Sequence, residues 1–249
     1  MNAIEINNLS KEYKNKIAVD GLNLTIKQGE LLALLGVNGA GKTTIIKILS
    51  GLIQPTSGDV LINDHSILND NSKFKEIISV SPQETAIAPN LTVIENLELM
   101  AQIHGFNKAI TKQKVSELIN TFELETIANK KSKLLSGGYQ RRLSIAMALV
   151  SEPKILFLDE PTLGLDILAR QHLWQLIKAL KDKITILLTT HYLEEAEALS
   201  DRVCILKDGK IKALATVVEL KKQAKTTNFN DAFIKLSQGD DHNENASLC

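Results

Sequence analysis

The chain has 249 residues, and its 29 lysines and arginines are balanced by 29 aspartates and glutamates. This length suits one large α/β domain or two small ones, and the zero net charge argues against nucleic acid as a primary partner, which usually requires a basic excess. The two cysteines, Cys204 and Cys249, predict neither a disulfide framework nor a metal cluster, and they suit a reducing compartment.

The first 50 residues predict antiparallel strands followed by a strand, a loop and a helix. Residues 1–30 alternate apolar and polar side chains as short antiparallel strands do, for example at Ile4 and Ile6 and again at Leu22, Leu24 and Ile26. An apolar run at 31–35 and an amphipathic stretch at 45–49 then flank the segment Gly36-Val37-Asn38-Gly39-Ala40-Gly41-Lys42-Thr43-Thr44.

That segment fits G-x-x-x-x-G-K-[ST], the pattern of a phosphate-binding loop. Its glycines let backbone N–H groups approach phosphate oxygens, and the N-terminus of the next helix directs its positive dipole to the same place. Lys42 can reach the β- and γ-phosphates, and the Thr43 hydroxyl can ligate Mg²⁺. The sequence therefore predicts a site for a Mg²⁺-bound nucleotide.

The middle of the chain changes from strand to helix. After strand-like runs at 60–62 and 77–81, an extended link begins at Pro82-Gln83. Thr92 and Glu95 form a capping box, and Gly105 suits the position after the helix end. The predicted buried face of this helix carries Val93, Leu97, Met100 and Ile103, and a second helix, opened by Thr111, carries Val115, Leu118, Ile119 and Phe122. Residues 84–150 are thus predicted to be an all-helical insertion.

The last helix of this insertion is predicted to begin at Leu135-Ser136-Gly137-Gly138. A serine and two glycines leave backbone N–H groups free at a helix start. From these residues alone, a flexible N-cap and a second anion site both remain open.

Two further strands are predicted to end in polar side chains. The apolar run 155–158 precedes Asp159 and Glu160, and the run 184–188 ends at Thr189-Thr190-His191. Carboxyl ends of parallel strands form the ligand-binding edge of α/β sheets. We expect Asp159 to join the Mg²⁺ shell, Glu160 to act as general base for an attacking water, and His191 to contact the γ-phosphate or that water.

The remaining elements are less distinctive. Leu173, Leu176, Ile177 and Leu180 predict the core face of a helix, with Trp174 beside them as packing. Asp208-Gly209 predicts a hairpin between residues 203–206 and 211. Beyond Thr216 we expect a short helix and then a polar, disordered end at 239–245.

Taken together, these motifs resemble the ATP-binding subunit of an ABC transporter, over residues 2 to about 215. Residues 36–44 are similar to the Walker A motif of that family, residues 156–160 to its Walker B motif, and Leu135-Ser136-Gly137-Gly138 to its signature. The predicted fold is α/β: a phosphate-loop NTPase core (1–83 and 151–215) with a mostly parallel sheet and N-terminal antiparallel strands, an inserted helical subdomain (84–150), and a partly disordered C-terminal tail (216–249).

The resemblance implies roles for further residues. Tyr13, which by itself suggests a half-buried surface residue, takes the place of the aromatic residue that stacks on adenine. Gln83 matches the glutamine that contacts Mg²⁺ and links to the membrane partner, and residues 84–101 are expected to dock that partner. Asp166 matches the D-loop at the seam of a dimer, and His191 the switch histidine. One departure is Tyr139, which stands where the signature commonly has glutamine.

The implied function is Mg²⁺-dependent ATP hydrolysis that drives transport through separate membrane subunits. Ser136, Gly137 and Gly138 are expected to close over ATP held by a second copy, or by a homologous subunit, in a head-to-tail dimer. Residues 189–197 and 230–236 look most like the drug- and antibiotic-export branch. No apolar run approaches the roughly 18 residues of a membrane span, and residues 1–6 lack a secretion signal. We therefore expect a cytoplasmic protein bound peripherally to the cell membrane.

The alternative is a soluble ABC-type ATPase that acts on ribosomes or DNA. Such proteins usually carry two fused domains, coiled-coil arms or basic tails, whereas this chain shows one domain, no heptad run and no net positive charge. A kinase or a small GTPase leaves the helical insertion that ends in Ser136-Gly137-Gly138 unexplained.

Overall fold

Ten strands, eight α-helices and three short 3₁₀ helices make up the regular structure of the computed structural model, which describes residues 1–14, 16–69 and 73–238. The strands are β1 (Asn2–Tyr13), β2 (Lys16–Lys27), β3 (Leu31–Leu35), β4 (Ser57–Ile62), β5 (His65–Ser66), β6 (Ile78–Ser81), β7 (Ile155–Asp159), β8 (Thr185–Thr190), β9 (Arg202–Lys207) and β10 (Lys210–Ala215). The helices are α1 (Lys42–Leu49), α2 (Val93–Ile103), α3 (Lys108–Thr121), α4 (Gly137–Leu149), α5 (Ile167–Lys178), α6 (Leu193–Leu199), α7 (Val217–Gln223) and α8 (Phe229–Gln238).

The strands form two sheets. An antiparallel sheet has the order β2-β1-β4-β5, and a larger sheet has the order β10-β9-β3-β8-β7-β6. In the larger sheet only the β9–β10 pair, the predicted hairpin, is antiparallel. The predicted mostly parallel sheet with antiparallel N-terminal strands is confirmed.

The N-terminal strands are longer than predicted. β1 and β2 have 12 residues each, and the predicted apolar side chains in both strands are buried. The pairing of β1 with β2 shifts register on both sides of Leu9, where the alternation of apolar and polar residues is interrupted. These shifts allow the two strands to stay paired beyond the interruption. Because the alternating pattern is interrupted there, the sequence predicted several short strands, whereas the structure has two long ones.

The central strands β3, β7 and β8 of the larger sheet are buried on both faces, which explains their uninterrupted apolar runs. Leu32, Leu34, Phe157 and Leu187 belong to a core shared with α1 and the antiparallel sheet. Their neighbours Leu31, Leu35, Leu156 and Leu188 belong to a second core shared with α4, α5 and α6.

Between β6 and β7, the regular elements within the described ranges are all helical, apart from one bridge between Thr92 and Lys131. The predicted capping box is present, since Thr92 Oγ1 accepts from the Glu95 backbone N–H at 3.2 Å and Glu95 Oε2 accepts from the Thr92 N–H at 2.7 Å. Gly105 follows the helix end with a φ of 76°. The domain boundaries at 83/84 and 150/151 stay a prediction.

Three details of the predicted helices are wrong. Ile103 is 66% exposed, because α2 buries Asn96 and Ala101 instead. Helix α3 begins at Lys108 and not at Thr111, because the Asn107 side chain caps it by accepting from the Ile110 N–H at 3.0 Å. Leu180 lies after the end of α5, although it still packs against the core.

The residues after Thr216 form two helices, α7 and α8, where the sequence predicted one short helix. A second capping box, between Thr216 and Glu219, starts α7, and Leu220, Phe229 and Ala232 are buried against the core. The predicted disorder at 239–245 and the position of Cys249 lie outside the described residues. None of the helices in the described ranges is long and apolar enough to cross a membrane.

Candidate functional site

The candidate site lies at the carboxyl edge of the larger sheet, where β3, β8, β7 and β6 are neighbours. The phosphate-loop segment follows β3, Glu160 follows β7, His191 follows β8, and Gln83 lies two residues after β6. Parallel pairing brings these ends to one edge. They surround a cavity of about 420 Å³.

Most of the predicted site residues line this cavity. The lining consists of Tyr13, Asn38, Gly39, Gly41, Lys42, Thr43, Thr44, Gln83, Glu160 and His191, together with Lys16, Ala18 and Leu163. Gly36, Val37 and Ala40 belong to the same loop, and Asp159 lies behind Thr43. Ser136, Gly137, Gly138 and Asp166 are not among the lining residues.

Two glycines of the loop are required by close backbone contacts. A Cβ atom on Gly36 would lie 2.5 Å from the Leu206 carbonyl oxygen. At Gly41, which has a φ of 104°, it would lie 2.4 Å from the Ala18 carbonyl oxygen. Both distances are too short for any side chain, so the loop can take this path only with glycine at these positions.

Lys42 is buried beneath the loop with its ammonium group held at the cavity. Its Nζ donates to the Gly36 carbonyl at 2.7 Å and to the Val37 carbonyl at 3.3 Å. The same atom lies 3.4 Å from Glu160 Oε1. The ammonium group is therefore fixed beside the backbone N–H groups at the start of α1, where an anion is favoured.

Glu160 occupies a strained backbone position. Its φ is 50°, in the left-handed region, which costs about 1–3 kcal/mol for a residue other than glycine. Its N–H donates to the Thr189 carbonyl at 3.1 Å and to the Thr189 hydroxyl at 3.0 Å, which stabilises this conformation. Its carboxylate Oε2 is 2.5 Å from His191 Nδ1, so the acid and the histidine form a hydrogen-bonded pair.

Asp159 is oriented by two hydroxyl groups. Its Oδ1 accepts from Thr189 Oγ1 at 2.5 Å and lies 3.5 Å from Thr43 Oγ1. Thr189 therefore contacts both adjacent acids. No role was predicted for Thr189 from the sequence, although its position at the end of a buried strand next to His191 indicates one.

The backbone of the link after β6 is held by Arg141 from α4. Its two terminal nitrogens donate to the carbonyls of Pro82 and Gln83, both at 2.6 Å. The Arg141 side chain is buried, and this burial lowers its pKa, while the charges of Asp159 and Glu195 act in the opposite direction. Arg141 therefore connects the helix that begins at Gly137 to a residue that lines the cavity, a contact that the sequence analysis missed.

Ser136, Gly137 and Gly138 lie beside the start of α5. A Cβ atom on Gly138 would be 3.2 Å from the Ala169 Cβ, and one on Gly137 would be 3.7 Å from a Leu165 methyl group. Asp166 caps α5 by accepting from the Ala169 N–H at 2.9 Å. The Ser136 side chain makes no capping bond, and it is exposed. The structure thus brings Ser136, Gly137, Gly138 and Asp166 together on one surface, separate from the residues that line the cavity.

Comparison with known proteins identifies the family. Residues 19–163, more than half of the chain, match the family model described as ABC transporter. The chain belongs to the ABC transporter family. The matched region is an ABC-type ATPase domain, and the fold predicted from the sequence is that of this family.

Two relatives from the ABC family illustrate the range of the match. The daunorubicin/doxorubicin resistance ATP-binding protein DrrA of Streptomyces peucetius is 40% identical over 220 residues, which cover 88% of this chain and 67% of that protein. The phospholipid-transporting ATPase ABCA3 of Homo sapiens is 38% identical over 224 residues. That match covers 88% of this chain but only 13% of ABCA3, so the chain spans a small part of the larger relative.

A solved ABC structure matches the fold. A dimeric ATP-binding cassette in a post-hydrolysis state, bound to ADP and Pi, superposes with a TM-score of 0.77 at 32% identity. The match covers 86% of this chain and 98% of that one.

Proposed function

We propose that this chain binds and hydrolyses ATP as a subunit of an ABC exporter. The observation that carries the proposal is the convergence of Lys42, Glu160 and His191 in one cavity beneath the phosphate loop. The family supports ATP as the ligand. Tyr13 lines the same cavity and is 45% exposed, as an adenine-stacking ring needs to be.

The residues present also fit a magnesium ion. Mg²⁺ usually keeps several waters and takes one or two carboxylates together with substrate phosphates. Asp159 supplies one carboxylate, the Thr43 hydroxyl lies 3.5 Å from it, and the Gln83 side chain lines the cavity. These three residues would hold the ion, which when bound neutralises phosphate charge.

Glu160 is proposed as the general base for the attacking water. One carboxylate oxygen faces Lys42 Nζ and the other faces His191 Nδ1, so the group is anchored at both ends. Lys42 contributes charge to the phosphates, and His191 orients Glu160 or contacts the γ-phosphate. A base held within hydrogen-bond reach of its water typically contributes about 10²–10⁴ in rate.

The second half of each site is proposed to come from another copy of the chain or from a homologous subunit. Within one chain, Ser136, Gly137 and Gly138 are absent from the cavity lining, yet they begin α4 with an exposed, uncapped helix start. Exposed apolar side chains flank this surface, namely Leu134, Ile167 and Leu168. A head-to-tail dimer would bury them and would place each Ser136 over the partner's nucleotide, with Asp166 near the seam. The dimeric state of the matched cassette supports this arrangement.

The membrane partner is proposed to dock near Gln83 and the following residues, about 84–101. The structure offers an open, largely apolar cavity of about 670 Å³ between α2 and α3, lined by residues that include Ile94, Phe106, Val115 and Ile119. A cysteine at Thr85 should crosslink to a membrane polypeptide, whereas one at Asn63, in the turn between β4 and β5, should not. Labelling only from Asn63 would contradict this docking surface.

Export is proposed from relatives such as DrrA, which is named for drug resistance. The same names favour transport over a soluble role on ribosomes or DNA. The proposed location is the cytoplasmic face of the cell membrane, reached through the membrane subunits.

Hydrolysis and binding can be separated by two substitutions. Glu160→Gln should bind Mg·ATP as wild type does but should lose roughly 10²–10³ in turnover, about 2.7–4 kcal/mol of transition-state stabilisation. Lys42→Ala should lose nucleotide affinity. Glu117→Gln, on an exposed face of α3, is the matched control and should leave turnover unchanged. Equal turnover by Glu160→Gln and wild type would rule out the general-base role.

A further inference from the structure

The His191 ring takes part in a row of contacting groups that leads away from the cavity. Its centroid lies 4.2 Å from that of the Tyr192 ring, at an interplanar angle of 41°. The guanidinium carbon of Arg170 lies over the Tyr192 ring, 4.4 Å from the ring centroid. The row therefore runs from Glu160 through His191 and Tyr192 to Arg170, on α5.

Arg170 has few other partners. Its nearest carboxylate oxygen belongs to Glu194, is 3.9 Å away, and lies on a side chain that is 83% exposed. The Arg170 Nε is buried, and it finds no hydrogen-bond acceptor within the described part of the chain. A guanidinium group on an aromatic face is attracted by the ring quadrupole, and the attraction increases when the pair is desolvated. The Tyr192 ring is therefore the main organised partner of this side chain.

Helix α5 makes a second contact with the segment 191–195, which carries His191 and Tyr192. One turn after Arg170, the Trp174 indole N–H donates to Glu195 Oε1 at 3.1 Å. The helix itself begins directly after Asp166, which caps it. Any displacement at the start of α5 would therefore act on the segment that carries His191.

We infer that Arg170 and Tyr192 are positioning residues that hold the His191 ring against Glu160 and couple it to the start of α5. The inference rests on the proposed role of the His191–Glu160 pair in ATP hydrolysis. His191 makes one short hydrogen bond, to Glu160, and its side chain is 29% exposed. One hydrogen bond leaves a ring free to turn about its bonds, and the contact with the Tyr192 ring restricts that rotation.

The activity test compares two substitutions at Tyr192. Both stacking contacts are made by the ring, so Tyr192→Phe should retain wild-type turnover. Tyr192→Leu keeps an apolar side chain without the ring and should lower kcat about 5- to 30-fold, while KM for ATP changes less than about twofold, because the phosphate loop is untouched. Arg170→Met keeps most of the apolar stem of the side chain without its charge and should produce a smaller loss of kcat.

A spectroscopic measurement on the nucleotide-free protein separates positioning from general damage. The chain has five histidines, and a His191→Gln variant assigns the His191 ring signals by NMR. Those signals should be shifted by the Tyr192 ring in wild type and in Tyr192→Phe, and should move towards free-histidine values in Tyr192→Leu. Circular dichroism and thermal melting establish that each variant is folded.

The inference is overturned if Tyr192→Leu retains kcat within twofold of wild type, if Tyr192→Phe is equally impaired, or if the His191 signals are the same in all three proteins. A failure of the proposed function would give a different set of results. In that case Glu160→Gln hydrolyses ATP as wild type does, while the shift of the His191 signals by Tyr192 persists.

Discussion

Replacing Arg141 by methionine tests the connection between α4 and the link that carries Gln83. The change keeps most of the apolar stem but removes both hydrogen bonds to the carbonyls of Pro82 and Gln83, each 2.6 Å long. A hydrogen bond to a charged group contributes about 1.5–3 kcal/mol, and both of these bonds are partly buried. The desolvation cost of burying the guanidinium group offsets part of the stabilisation from these two hydrogen bonds. We therefore expect a net loss of about 2–4 kcal/mol in the free energy of unfolding.

Thermal and urea unfolding measure this loss. For a chain of this size, 1 kcal/mol corresponds to about 2–4 °C, so the melting temperature should fall by about 4–16 °C. Arg141→Lys keeps the charge but loses the bidentate geometry, so its melting temperature should lie between those of Arg141→Met and wild type. The matched surface control is Lys210→Met, whose exposed ion pair with Asp20 spans 3.1 Å and should contribute less than about 1 kcal/mol.

Arg141→Met should also weaken Mg·ATP binding, because the backbone of Gln83 loses its anchor. Unchanged melting together with unchanged nucleotide affinity would refute this account of Arg141. If Arg141→Met lowers the melting temperature no more than Lys210→Met does, water replaces the guanidinium group at the two carbonyls without loss of stability.

Two further predictions follow from buried titratable groups. Burial raises the pKa of Glu195 above its usual value of 4.5, so the protonated form stabilises the folded state below that value, and this stabilisation is lost as the pH rises through the raised pKa. In urea unfolding, the stability of Glu195→Gln relative to wild type should therefore increase as the pH rises above 4.5, and a pH-independent difference would contradict the raised pKa. Burial also raises the pKa of Cys204 to about 12, so mass spectrometry of a Cys249→Ser variant should show no alkylation at pH 8 until the protein is denatured, and rapid native labelling would be the contrary result.

The sequence predicted those parts of the fold that depend on local pattern. The apolar runs that became β3, β7 and β8 are buried on both faces, so their composition alone identifies central parallel strands. The phosphate loop, the capping box at Thr92 and the hairpin at Asp208-Gly209 each follow from the conformational needs of a few consecutive residues. Parallel pairing then places Lys42, Glu160 and His191 at one edge.

Contacts between distant residues could not be predicted in this way. Arg141 bonds to carbonyls 58 and 59 residues earlier, and no local pattern distinguishes it from its neighbour Arg142. Arg170 reaches Tyr192 only because α5 packs beside α6, which begins directly after Tyr192. The burial of α7 and α8 likewise depends on a core surface that residues 217–238 do not themselves specify. The assignment of Tyr13 rests on resemblance, since its sequence context indicates only a surface aromatic residue.

Each ATP site is proposed to be shared between two chains, and mixing two defective variants tests this arrangement most directly. Lys42→Ala removes the phosphate contact of one half-site, and Ser136→Arg blocks the other half-site while leaving nucleotide binding by the single chain intact. Neither variant alone should form ATP-dependent dimers in size-exclusion chromatography. In a mixed dimer, one composite site keeps both an intact Lys42 and an intact Ser136. We predict that the mixture regains ATP-dependent association, and no recovery at any ratio or protein concentration would contradict sites shared between chains.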